Sequence, residues 1–244
     1  LTTNTLKLKR SFDRKVANYV TKNGKQAAIA NTFGLPAGKA FSCPGATSVC
    51  ETVCYAGKLE KLFKGVKVNL LHNWDLLKDA DYETMVDLLK EMMIDFVKDC
   101  AKKDAPQLFR IHWDGDFFND TYAYAWKQVI MDFDYVQFWV YTRVESAALM
   151  LKDLPNLSLY YSTDSENKNT GIELKKTHGI KLAYLAKNFA EGQADMKALT
   201  NKPGAKCPEN AKRIPLISTA GSACVSCSLC VYSKADVVFS ATKK

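Results

Sequence analysis

Leu108-Phe109-Arg110-Ile111-His112-Trp113, followed at once by Asp114-Gly115-Asp116, is an apolar run of strand length closed by a turn. A helix pattern comes next, with Asn119 as its cap and Tyr122, Ala125, Trp126, Val129 and Ile130 on one side. The same alternation then repeats. Strands are expected at Val136–Tyr141, Leu157–Tyr161 and Ile180–Leu185, with helices at 145–152 and 190–199 between and after them. Strands that alternate with helices need crossover connections, and these predict a parallel sheet. Five or six units are too few for a closed eight-fold barrel, so the expected fold is α/β, a partial (three-quarter) βα barrel with a C-terminal cysteine-rich extension.

Upstream, Gln26–Phe33 reads as a first strand and Gly34-Leu35-Pro36-Ala37-Gly38 as its turn. Residues 56–78 read as a helix weakened by Gly65, and residues 82–100 as a second helix capped by Asp81. The chain is read as one domain: a basic N-terminal segment over 1–24, the partial barrel over 25–200 and the cysteine-rich extension over 201–244. Trp113, Trp126, Trp139 and His112 are expected in the core, and Cys100 ends the apolar stripe of the second helix.

Seven of the eight cysteines fall in two groups. Cys43, Cys50 and Cys54 lie in a segment of small and polar residues with Pro44 and Gly45, where the backbone can wrap and the thiols converge. Cys224, Cys227 and Cys230 repeat a two-residue spacing, with Cys207-Pro208 upstream. Such spacing suits a metal or a cluster edge and is poor disulfide geometry. No histidine lies in either group. A three-cysteine run plus a remote Cys-Pro matches the ferredoxin-like way of holding a [4Fe–4S] cluster, so Cys207, Cys224, Cys227 and Cys230 are expected to hold one, with zinc as the alternative. Cys43, Cys50 and Cys54 offer only three thiols. They suggest a second cluster with one open iron, or a site completed from elsewhere.

In parallel α/β folds, ligands gather at the carboxyl ends of strands. There the pattern places the first cysteine group, Asp114 and Asp116, then Thr142 and Arg143, then Ser162, Thr163 and Asp164. Asp116 is a candidate for a ligand amine and Arg143 for a carboxylate clamp, and both are the candidate catalytic residues. Asp114 and Asp164 complete the candidate cofactor-binding set. The same residues also suit an ordinary turn and a helix cap.

The formal charge is +8, with 34 lysines and arginines against 26 acidic residues. This surplus keeps a nucleic-acid partner open, yet only five residues are arginine and no nucleic-acid motif accompanies them. No apolar run is long enough for a membrane span, and the first ten residues are polar and basic with no secretory pattern.

Cys43-Pro44-Gly45-Ala46, Cys50, Cys54-Tyr55-Ala56, Arg110–Phe117, Phe138–Arg143 and the terminal Cys224, Cys227 and Cys230 resemble, in this order, the uncharacterised phage "gene product 88" family. A more distant likeness is to radical S-adenosylmethionine enzymes. The resemblance implies a protein of the host bacterial cytoplasm with reduced thiols, iron–sulfur binding and a possible S-adenosylmethionine site, with a small-molecule substrate or a redox partner. The spacing departs from the usual C-x3-C-x2-C, since Cys43, Cys50 and Cys54 are spaced C-x6-C-x3-C and Tyr55 follows the last. The Gly-Gly-Glu that holds the methionine amine in many such enzymes is absent, and Asp114-Gly115-Asp116 is the nearest substitute. Two other classes follow from the same residues: a non-catalytic electron-transfer or binding protein, and a zinc-stabilised nucleic-acid binder.

Overall fold

The computed structural model describes residues 6–242. Its centre is a seven-stranded sheet in which every neighbouring pair is parallel. In chain order, a hairpin of β1 (Asn18–Val20) and β2 (Gln26–Ala28) precedes the edge strand β3 (Thr32–Gly34). Helices α1 (Ser48–Val53), α2 (Tyr55–Leu62), α3 (Lys64–Leu77) and α4 (Tyr82–Lys103) follow. Strand β4 (Leu108–Asp114), α5 (Asp120–Asp132), β5 (Gln137–Thr142), α6 (Glu145–Leu151), β6 (Leu157–Thr163), α7 (Lys168–His178), β7 (Lys181–Ala186) and α8 (Phe189–Thr200) alternate. The remainder is β8 (Ala205–Lys206), the small hairpin β9 (Ile217–Ser218) and β10 (Gly221–Ser222), α9 (Ala223–Cys227) and β11 (Val237–Ser240). The sheet order is β3-β4-β5-β6-β7-β11-β8.

The expected strand–helix repetition from Leu108 to Thr200 is present, with every element of expected bounds within a few residues of them and α7 filling the span before β7. Two caps form as read: Asp81 accepts from the Thr84 amide at 2.9 Å and Asn119 from the Tyr122 amide at 2.8 Å, each satisfying a helix-start donor. Cys100 is buried in the last turns of α4, where burial pushes its thiol up to about 12.

Two expectations change. Gln26–Phe33 is not one strand, because Gln26–Ala28 pairs with β1 and only Thr32–Gly34 joins the sheet. Between them Asn31 is fully buried, and its carboxamide donates to the Val16 and Leu108 carbonyls and to the Tyr19 hydroxyl. Those contacts turn the chain where continuous pairing would carry it on. The helix over 56–78 is two helices, since Phe63 takes extended backbone between α2 and α3. The N-terminal segment is tied down from Leu6 onward, its first five residues lying outside the described ones. Leu8, Val16 and Tyr19 are in the main core, Arg10 pairs with Asp99 at 2.5 Å and Lys7 with Glu91 at 2.8 Å.

Alternation of side chains along each strand gives the sheet two different faces. Phe109 and Phe138 point to the helices, with Phe109 5.0 Å from Phe96 of α4 and Phe138 6.5 Å from Trp126 of α5. Residues of the opposite parity, Arg110, Trp139, Tyr141, Ser158 and Tyr160, lie in register across β4, β5 and β6. Tyr141 and Tyr160 lie there with tilted rings 5.5 Å apart, and Cys207, Leu229 and Cys230 pack over Tyr160, Ala183 and Val237. The cysteine-bearing C-terminal segment therefore covers the face away from α4 and α5.

Trp113, Trp126 and Trp139 are buried as expected, and so is His112. His112 takes a left-handed φ of 58° within β4, where the register with β3 shifts. Its Nε2 meets the Tyr122 hydroxyl at 2.9 Å, and burial lowers its pKa to about 3, so the imidazole is neutral.

Candidate functional site

The strand ends of β3, β4, β5 and β6 form one rim. The loop leaving β3 is clipped to it: the Leu35 amide donates to the Asp114 carbonyl at 3.0 Å, and the buried Ser42 hydroxyl donates to the Pro36 carbonyl at 2.7 Å. Two glycines permit this seating. Gly115 has φ 83°, and a Cβ there would sit 2.5 Å from Ser42 Oγ and 2.9 Å from the Leu35 carbonyl. A Cβ on Gly45 would sit 2.5 Å from the Arg143 carbonyl. Cys43 lies between these contacts.

Thr47 joins the first cysteine group to the sheet. Its Oγ1 caps α1 by accepting from the Cys50 amide at 3.0 Å and donates to Asp164 Oδ2 at 2.6 Å. Beside it the Ser48 amide donates to Glu166 at 2.9 Å. Cys54 caps α2, its Sγ accepting from the Gly57 amide at 3.3 Å, and the next residue, Tyr55, donates from its hydroxyl to the Trp113 carbonyl at 3.1 Å. Cys43, Cys50 and Cys54 are each half-buried free thiols. Burial raises all three; Asp116 and Asp114 push Cys43 further up, whereas Arg143 pulls Cys50 down.

The polar residues of the rim divide into engaged and available ones. Asp116 is engaged on both oxygens: Oδ1 accepts from the Thr142 hydroxyl at 2.6 Å and the Phe117 amide at 2.8 Å, Oδ2 from the Arg143 amide at 2.8 Å. Burial still raises its pKa to about 6. Arg143 Nη1 lies 2.7 Å from Asp164 Oδ2, with side-chain exposures of 8% and 0%. The guanidinium thus faces an internal carboxylate as an ion pair, while its Nη1 makes no hydrogen bond among the described residues. Asp114 differs. Its Oδ1 accepts from the Gly115 amide at 2.9 Å, while its buried Oδ2 has no hydrogen-bond partner among the described residues. Burial, then the charge of Glu60 beside it, pushes Asp114 up to about 9, so this carboxyl is protonated at neutral pH. An open cavity of about 520 Å³ abuts the rim, lined by Pro44, Gly45, Arg143, Val144, Glu145, Ser146 and Leu149.

Cys207, Cys224, Cys227 and Cys230 are also free and half-buried, and Cys207 and Cys230 pack over Tyr160, Ala183 and Val237. Burial pushes Cys230 up to about 12, with the Tyr141 hydroxyl lowering it and Cys207 and Cys227 raising it; Cys224 is raised by burial and by Cys230 and Cys207. Backbone contacts place them: the Cys207 amide donates to Val238 at 3.0 Å and the Cys224 amide to Lys15 at 2.9 Å. Among the described residues, no three histidine, cysteine, aspartate or glutamate side chains stand as a formed metal-ion site.

Between the two groups stands Arg110. It pairs with Asp13 at 3.0 Å and its guanidinium lies over Tyr141 at 5.4 Å. Burial opposes its charge, and Tyr55 and Asp13 more than offset that, so the cation persists. Sequence reading missed Arg110, Asp13, Glu60, Thr47 and Glu166. Thr47 alone carried a local signal, since it stands three residues before Cys50 in capping position.

Among the described residues, no helix is long and apolar enough to cross a membrane. No solved structure matches the chain. The gene 88 protein of Mycobacterium phage D29 is 55% identical over 243 residues, covering 97% of this chain and 99% of the relative. That of Mycobacterium phage L5 is 54% identical, covering 98% and 99%. A sequence model of gene product 88 matches residues 4–233, and the chain therefore belongs to the gene product 88 family.

Proposed function

We propose that this protein binds iron–sulfur clusters on a partial βα barrel and acts as a radical S-adenosylmethionine-like enzyme. The observation that carries the reading is the placement of Cys43, Cys50 and Cys54 at the same strand-end rim as Asp114, Asp116, Arg143 and Asp164. The unbroken run β3-β4-β5-β6-β7 in the sheet agrees with a barrel left open beyond β8.

Cys207, Cys224, Cys227 and Cys230 would hold one [4Fe–4S] cluster, and Cys43, Cys50 and Cys54 a second with one iron lacking a protein ligand. Loading either group requires the thiols to turn toward one another and to lose the protons that burial now favours. When bound, a cluster with an open iron supplies a coordination position for the amino and carboxylate groups of a small ligand and a source of one electron. The chain's own residues would do the rest. Asp114, protonated, offers its unpartnered Oδ2 as a donor to a ligand acceptor, with Glu60 behind it. Asp116, with no free oxygen, fixes the turn into Arg143. Arg143 and Asp164 position Thr47 and, through it, Cys50; Arg143 meets a ligand carboxylate only by sharing its fork with Asp164. Asp116 and Arg143 are accordingly positioning residues in this proposal.

Visible absorption of anaerobically purified protein, with iron, sulfide and zinc assayed on the same sample, tests the cofactor. About eight irons with equal sulfide support two clusters and about four a single-cluster carrier. A colourless protein with stoichiometric zinc overturns the proposal. Reductive cleavage of S-adenosylmethionine by the loaded protein tests the activity, and no cleavage leaves the non-catalytic electron-transfer reading.

A further inference from the structure

Helices α2 and α3 form an arm directly after Cys54, and its outer surface has a composition that folding does not use. Leu62, Phe63 and Val68 are 73%, 56% and 53% exposed. Lys58, Lys61, Lys64 and Lys67 are all exposed around them, two on each helix three residues apart. None of these four pairs with a carboxylate among the described residues, so the cluster they form keeps its charge uncompensated. Glu60, the one acid within the arm's stretch of lysines, faces inward and accepts from the Ala37 amide at 2.8 Å. The opposite side of the arm is fixed, with Ala56, Leu59, Val66 and Leu70 packed on Trp113 beside Cys54.

An apolar centre inside a charged rim is the anatomy of a protein-docking patch. The rim here has one sign only, so the complementary surface is acidic. Nucleic-acid surfaces lean on arginine forks, and residues 52–74 contain no arginine. We propose that the α2–α3 arm docks a small acidic one-electron carrier protein beside the N-terminal cysteine group. The inference rests on the iron–sulfur reading above. The reduced carrier would give up one electron and return to its oxidised form, and a cluster that Cys43, Cys50 and Cys54 would hold would accept it; no bond breaks and no proton is required.

The probe is an acidic [2Fe–2S] ferredoxin. Anaerobic stopped-flow reduction of the iron-loaded full chain is followed with the reduced ferredoxin and, separately, with dithionite. Lys61→Glu with Lys64→Glu should slow reduction by ferredoxin about tenfold and weaken its salt dependence, as expected for a surface that steers association, while dithionite reduction is unchanged. Leu62→Ser with Phe63→Ser should slow the ferredoxin step with its salt dependence kept. Equal ferredoxin rates in parent and both variants overturn the proposal. So does loss, in the lysine variant, of binding to single-stranded DNA or anionic vesicles while ferredoxin reduction is unaffected. A second readout does not need iron: carbodiimide cross-linking of oxidised ferredoxin to the chain should map to Lys58, Lys61, Lys64 and Lys67, and cross-links spread over other lysines refute the docking surface. A chain that takes up no iron but cross-links at these four lysines retains the docking surface and loses the cluster reading.

Discussion

Asp164 is a carboxylate with no exposed side-chain surface, held by the Arg143 cation and the Thr47 hydroxyl. A buried pair is costly to break because the surviving charge stays unpaired. Asp164→Ala should therefore destabilise the protein by about 3–5 kcal/mol in urea unfolding. The double change Arg143→Met with Asp164→Leu should lose less than that single change, since no charge is then stranded. Asp114 makes a different prediction. Its carboxyl is raised to about 9 from an ordinary 3.8, so between those values the folded chain holds a proton that the unfolded chain has released. This contribution is fully present below about pH 4 and is lost as pH rises toward 9. Asp114→Asn, which cannot ionise, should gain on the parent as pH rises, by up to about 1.4 kcal/mol per pH unit. Unfolding of both metal-free proteins across pH 5–8 checks it; a constant difference would refute the buried protonated carboxyl.

At the scale of elements, the rim depends on how the loop from β3 meets the turn after β4. Gly115 combines a left-handed φ with close approach to Ser42 and Leu35. Gly115→Ala should cost about 1–2 kcal/mol for the backbone conformation alone, with the steric clash added, and should lower the melting temperature by several degrees. Asn119→Ala, by comparison, removes only a cap and should cost about 1 kcal/mol. These elements were unevenly legible in the sequence. The strands from Leu108 onward and the caps Asp81 and Asn119 follow from local pattern, so their positions could be read directly. Gln26–Phe33 misled because Asn31 spends its side chain on Val16, Tyr19 and Leu108, contacts with no trace in hydrophobic period. The rim residues were named correctly as neighbours at strand ends. Their surroundings were not: Arg143 with Asp164, Asp116 with Thr142, and the charge of Glu60 beside Asp114 depend on side chains that meet across separate loops.

For the whole molecule, the two cysteine groups are built on different parts of the chain and should load separately. Replacing Cys43, Cys50 and Cys54 with serine should reduce the iron content from about eight to about four. Replacing Cys224 and Cys227 should do the same from the other side, with the remaining signal distinguishable by electron paramagnetic resonance. Simultaneous loss of all iron in either variant would mean one shared site. Between the groups lie Arg110, paired with Asp13, and the N-terminal segment, whose Lys15 carbonyl accepts from the Cys224 amide.

The order of strands in the sheet is not their order along the chain. Strand β11 lies between β7 and β8, although β8 precedes it by some thirty residues. While the chain emerges from the ribosome, β8 has no sheet neighbour until Val237–Ser240 arrives, and the Cys207 amide has no Val238 carbonyl to meet. Nascent chains halted before that point carry all seven clustered thiols but only an unfinished bed for four of them. Copies terminated before Val237 lack the strand that pairs β8 and the carbonyl that fixes the Cys207 amide.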